Sequence, residues 1–215
     1  FVSEIIAGIR QKCGPDFPVS VRINAEEMME GGIDLDEAVR IAVALEQAGA
    51  DAINVSCYTE GCIEPGSYAQ GWKKYMAAVV KKAVSIPVIA VCNIKEPAVA
   101  EELLAEGVCD FVGVGRGHLA DPEWCNKAFS GRAEEIRKCI GCLGCFGEIV
   151  KLKRIKCAVN PVTARELEYA HPVRNGDNRV IAVIGGGPAG IEVALTLKDR
   201  GFRPVLFDDN LRLGG

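Results

Sequence analysis

Along the first 130 residues, short apolar runs alternate with longer stretches whose apolar positions recur at helical spacing. Four runs rich in β-branched residues, at 18–23, 51–56, 87–92 and 110–115, have the length and composition of buried parallel strands. Between them, residues 35–48 place Leu35, Ala38, Val39, Ala42 and Leu45 on one helical face. Residues 72–84 and 98–105 read the same way. Gly49 and Gly107 follow two of these helices and predict left-handed caps that turn each helix into the next strand. Such unbroken alternation predicts an α/β fold, a parallel sheet covered by helices.

A doubly wound sheet and a (β/α)8 barrel both fit this pattern. Four strands make half a barrel and would leave open, apolar edges, so residues before Phe1 are expected to complete it. Residues 1–130 are therefore read as the C-terminal half of a TIM barrel. From 131 to 178 the pattern breaks into cysteines, glycines, a basic run and a polar linker. A new apolar strand starts at about 179, and residues 179–215 are read as the opening of a second, Rossmann-like domain.

Composition narrows the class. With 49% hydrophobic and 25% charged residues, the chain has the make-up of a core-forming protein. A net charge of −4 gives no basic footprint for nucleic acid. No apolar run reaches the length of a membrane span. Four of the ten cysteines crowd into 139–157, which favours a reducing, cytoplasmic setting with one dedicated cysteine site over a disulfide framework.

Those four, Cys139, Cys142, Cys145 and Cys157, form C-x2-C-x2-C-x11-C. Three thiolates at two-residue gaps can take three corners of a [4Fe–4S] cubane, with the fourth arriving from further along. Four thiolates also make a structural zinc site, though zinc more often uses two separated C-x2-C pairs. The spacing favours the cluster.

The run Gly185-Gly186-Gly187-Pro188-Ala189-Gly190 satisfies G-x-G-x-x-G, follows a strand and opens a helix. A second strand ends in Asp208, 18 residues after Gly190. This is a βαβ dinucleotide fingerprint. Gly185 permits the tight turn, Gly187 lets the backbone approach a pyrophosphate, and Gly190 allows close helix packing. The helix N-terminus favours the phosphates, and Asp208 can accept from ribose hydroxyls. The fingerprint does not separate FAD from NAD.

Catalytic and phosphate-binding groups of such barrels sit at the C-terminal strand ends. The last strand runs into Gly113, Gly115, Arg116 and Gly117, where amides and a guanidinium can hold phosphate. The preceding strand ends at Cys92-Asn93, beside that site. Arg22, inside an otherwise apolar strand, calls for a carboxylate or an anionic ligand as partner.

The segments DFPVSVRIN, GADAINVS, IPVIAVCNIKEP, DFVGVGRGHLADPEW, KCIGCLGC, CAVNP and IAVIGGGPAG occur in an order that resembles one family. It is the old-yellow-enzyme-type NADH:flavin oxidoreductases with an iron–sulfur cluster, the group of 2,4-dienoyl-CoA reductase, 2-enoate reductase and trimethylamine dehydrogenase. The resemblance implies an FMN-binding barrel, a [4Fe–4S] loop and FAD- and NAD(P)H-binding domains. By that resemblance Arg22 touches the FMN pyrimidine edge, and Asn93, Gly115 and Arg116 match FMN phosphate positions. The four cysteines match cluster ligands, and Gly185, Gly187, Ala189, Gly190 and Asp208 match the FAD site. Electrons would pass from NADH through FAD and the cluster to FMN, and from there to a small molecule with an activated C=C bond. The amine dehydrogenases and NADH oxidases of this scaffold are the alternative, and a non-catalytic electron-transfer module is a third reading. A homo-oligomer is compatible with either enzyme reading. Two departures stand out: Cys92-Asn93 replaces a frequent Gly-Arg or Asn-Arg, and the segment Ser56-Cys57-Tyr58-Thr59-Glu60 lacks the histidine that dienoyl-CoA reductases carry there. The family's proton-donating tyrosine would lie upstream.

Overall fold

The computed structural model describes residues 1–57, 68–91, 93–171 and 173–214. The chain divides into two compact units, Phe1–Thr163 and Ala164–Gly215.

The first unit is built on a parallel four-stranded sheet in chain order, β1 (Ser20–Asn24), β2 (Ala52–Ser56), β3 (Val88–Ala90) and β4 (Phe111–Val112). Helices α1 (Val2–Cys13), α2 (Leu35–Gln47), α3 (Lys74–Ala83) and α4 (Pro97–Ala105) alternate with the strands. The apolar stripe of α2 does what its spacing predicts: Ala38, Ala42 and Leu45 are buried. Asp34 caps that helix by accepting from the Glu37 N–H at 2.7 Å. Ile6, Ile53, Met76, Val80, Val88 and Leu103 are fully buried and form the centre of the core.

Gly49 and Gly107 end α2 and α4 as their positions predict, with φ of 95° and 68°. The N–H groups of Gly49 and Ala50 close onto Glu46 and Leu45 carbonyls, and those of Gly107 and Val108 onto Leu104 and Leu103. This double bond is a Schellman motif, and it delivers each chain directly into β2 and β4.

The structure departs from the pattern in three places. Helix α1 carries Val2, Ile5, Ile6 and Ile9 at helical spacing, yet only Ile6 is buried. Its anchor is polar instead: Arg10 donates to the Gly49 carbonyl at 2.8 Å and to Asp51 at 2.6 Å. Strands β3 and β4 are shorter than their apolar runs. At the end of the β3 run Asn93 turns to φ 55°, and β4 ends at Val112, with the Gly113 N–H still donating to the Ala90 carbonyl at 2.8 Å.

After β4 come α5 (Arg116–Ala120), α6 (Trp124–Phe129), a 3-10 turn (Ala133–Glu135) and α7 (Gly144–Val150). The segment beyond α7 is tied back by Asn160 and Thr163, both buried, which donate to the Leu119 carbonyl at 2.9 Å each.

The second unit opens with α8 (Glu166–Tyr169) and continues as a βαβ motif, β5 (Val180–Ile184), α9 (Pro188–Asp199) and β6 (Arg203–Phe207). Its two strands pair in parallel from Val180↔Arg203 to Ile184↔Phe207.

Candidate functional site

The parallel register lines up the C-terminal ends of all four strands of the first unit. A cavity of about 430 Å³ opens there. Arg22 from β1, Asn54 from β2, Asn93 after β3 and Gly113–Gly117 after β4 line it, with Lys95 and Cys139. The four residues singled out at the strand ends, Arg22, Asn93, Gly115 and Arg116, thus share one cavity.

Arg22 stands opposite Asn54 in the β1–β2 register. Its guanidinium donates to Ser56 Oγ at 2.7 Å and to Asn54 Oδ1 at 3.3 Å. Among the described residues its partners are these two neutral groups, and no carboxylate pairs with the guanidinium, which lines the cavity. Asn54 and Ser56 were not among the sequence candidates. Only strand register, which period-two patterning does not encode, sets Asn54 opposite Arg22 and Ser56 two positions further along β2, within reach of the guanidinium.

Asn93 is buried, and its left-handed backbone aims the side chain between two elements. Its amide donates to the Tyr68 carbonyl at 3.1 Å, and its oxygen accepts from Arg116 Nη2 at 3.2 Å. Gly115 faces the cavity, and a Cβ placed on it would meet no atom within 4 Å. The loop between β2 and α3, where the histidine departure falls, lies largely outside the described residues, as does Cys92.

Cys139, Cys142, Cys145 and Cys157 line a second, smaller pocket with Leu119, Leu143, Ala158 and Val159. Cys139 and Cys142 sit in an irregular loop shaped by left-handed Gly141 and Leu143, and Cys145 lies in the first turn of α7. The Gly141 N–H donates to Cys139 Sγ at 3.4 Å. Burial pushes the Cys145 thiol above its ordinary value, against the opposing pull of the Phe146 N–H and the Arg116 charge. Among the described residues no three His, Cys, Asp or Glu side chains converge closely enough to hold one metal ion.

In the second unit the three fingerprint glycines meet three separate demands. Gly185 has φ 98°. A Cβ on Gly190 would overlap the Gly185 carbonyl oxygen, whereas one on Gly187 would meet nothing within 4 Å. Helix α9 starts at Pro188 and Ala189 with no side-chain cap, leaving its first amides for a ligand. Asp208 accepts from the Gly186 N–H at 2.5 Å and from the Asn210 N–H at 2.7 Å. The Gly186 bond, then Asn210, holds its carboxyl below the ordinary carboxylate value. Gly214 closes the turn by donating to the Gly186 carbonyl at 2.8 Å.

The model of the NADH:flavin oxidoreductase / NADH oxidase family matches residues 1–135. The chain belongs to this family. An NADH oxidase of Thermoanaerobacter brockii is 44% identical over 100% of this chain and 34% of its own length. A cinnamate reductase of Clostridium sporogenes is 32% identical over 100% of this chain and 35% of its own. A solved structure of 2-naphthoyl-CoA reductase with 2-naphthoyl-CoA has a TM-score of 0.91 at 30% identity, covering 100% of this chain and 34% of that one. The chain spans about a third of the length of these relatives. The parallel α/β sheet of the first unit lies within the residues that the family model matches. Among the described residues no helix is long and apolar enough to cross a membrane.

Proposed function

We propose that this chain is the cofactor-binding centre of an NAD(P)H-dependent flavin oxidoreductase that reduces an activated C=C bond. On this reading residues 1–130 are the second half of an FMN-binding TIM barrel, 131–178 carry a [4Fe–4S] loop, and 179–215 begin an FAD domain. The observation that carries it is the convergence of Arg22, Asn93, Gly115 and Arg116 on one cavity beside a ring of four cysteines. Bound there, FMN would supply hydride chemistry, FAD the exchange with NAD(P)H, and the cluster one-electron transfer.

The chain's own groups divide the work. Arg22, oriented by Ser56 and Asn54, offers a cation to the electron-rich edge of the ring. Arg116, oriented by Asn93, and the open backbone at Gly115 hold the phosphate. The four sulfurs surround a small apolar volume without converging on one point. Three cysteines at two-residue gaps suit a polynuclear cluster better than zinc, which more often uses two separated C-x2-C pairs. Gly187 leaves room for a pyrophosphate, and Asp208 stiffens the turn while keeping lone pairs for a ribose.

The test uses the full-length protein purified without oxygen. It should contain FMN, FAD, iron and acid-labile sulfide, and NADH should be consumed on addition of an enoate such as cinnamate. The 44% identity to an NADH oxidase favours a second reading, in which oxygen is the acceptor. NADH consumption that follows oxygen and ignores every enoate decides for that reading.

A further inference from the structure

Two residues, Arg116 and Cys139, line both the strand-end cavity and the cysteine pocket. Arg116 is half-buried at the start of α5 and is held toward the cavity by Asn93 Oδ1 at 3.2 Å. One turn on, the Leu119 carbonyl accepts from Asn160 and Thr163, which fix the segment carrying Cys157. A single short helix therefore bears the guanidinium shared by the two sites and the anchor of the fourth cysteine.

We propose that Arg116 couples the two sites energetically, so that phosphate in the cavity and an added electron on the cluster oppose each other. The proposal rests on the cofactor reading above. A guanidinium stays charged under all working conditions, and its field falls on both pockets. Phosphate brings negative charge to one side, and one-electron reduction adds one negative charge on the other. Whichever side draws the N–H groups of the shared guanidinium toward itself leaves fewer for the other, so the side chain itself carries the coupling. Such coupling is reciprocal: phosphate lowers the potential of the cluster, and reduction of the cluster weakens phosphate by the same factor. The consequence is that a loaded cavity biases electrons away from the cluster, toward whatever stands beyond it.

The experiment compares the full-length enzyme loaded with FMN against the same enzyme loaded with riboflavin, which lacks the phosphate. The midpoint potential of the cluster is followed by its electron paramagnetic resonance signal. The riboflavin form should have the higher potential, by about 59 mV if the coupling is about tenfold, since the cluster is a one-electron couple. Inorganic phosphate added to the riboflavin form should lower it again. Arg116→Gln should abolish the FMN–riboflavin difference, and Arg116→Lys should keep part of it. Equal potentials in the two wild-type forms overturn the proposal, as does a difference that survives in Arg116→Gln. If Arg116→Gln holds no flavin, the phosphate titration of the riboflavin-loaded wild type decides alone. An enzyme with no iron or no FMN overturns the cofactor reading itself, and the coupling with it.

Discussion

A Cβ on Gly190 would overlap the carbonyl oxygen of Gly185, whereas one on Gly187, three residues earlier, would touch nothing. The protein itself thus requires glycine at position 190, whereas at 187 the requirement comes from the proposed pyrophosphate. Gly190→Ala should force α9 off the turn and destabilise the second unit whether or not a nucleotide is present. Gly187→Val should leave the melting of the nucleotide-free protein nearly unchanged and remove bound FAD. Equal FAD content in wild type and Gly187→Val would show that no pyrophosphate lies at this turn.

Arg22 faces the cavity with Ser56 and Asn54 as its partners among the described residues. A cation there stabilises the more negative, reduced state of a bound flavin, which raises its potential. Arg22→Ala should lower the FMN potential by an amount on the order of tens of millivolts, at 30 mV per 1.4 kcal/mol for a two-electron couple. Arg22→Lys should recover part of that, since charge returns without the planar fork. Redox titration of the FMN-loaded variants decides: an unshifted potential in Arg22→Ala takes the residue away from the flavin.

How far the fold and site were legible follows from which signals are local. The core face of α2 and the caps at Gly49 and Gly107 depend on residues within a turn or two, and the structure follows them. Arg22 could be placed on a strand, but its partners come from β2 and depend on register. Arg116 could be placed at the strand-end site from the glycines around it, and it lines the cavity there. Its place beside the cysteines depends on how the chain returns after α7, held by Asn160 and Thr163 to Leu119. Asp208 could be placed at the end of the second strand of the fingerprint. Its bond to the Gly186 N–H, 22 residues away, is visible only once β5 and β6 are paired.

The cysteine ring predicts a sharp contrast between thiols. Cys145→Ala removes a wall of the small pocket and should abolish iron and sulfide binding, with loss of the broad visible absorbance. Cys13→Ala, at the exposed end of α1, should leave both unchanged. Stoichiometric zinc without sulfide in the anaerobic protein would replace the cluster by a structural site.

Asp121 carries the last prediction, because it fastens the approach to that ring. Its side chain is 5% exposed, and Oδ2 accepts from Lys127 Nζ at 2.6 Å and from the Arg137 N–H at 2.9 Å. Oδ1 takes the Glu123 N–H at 3.0 Å. Arg137 lies two residues before Cys139, so this carboxylate holds the start of the cysteine loop to α6. Burial, the largest single influence, pushes the carboxyl up, but Lys127 and the two backbone N–H groups together outweigh it. The native value therefore lies below the ordinary 3.8. A group depressed in this way stabilises the fold fully above its unfolded value, and the contribution fades as pH falls through the native one. Asp121→Asn should cost about 1.5–3 kcal/mol near neutrality, the range for hydrogen bonds to a charged group. The gap should close as both proteins are taken well below 3.8, where the wild-type carboxyl is itself protonated. Urea titrations of chelator-treated protein at a series of pH values measure it without interference from acid loss of bound metal. A gap that stays constant down to the lowest pH would mean that Asp121 acts through its shape and not its charge.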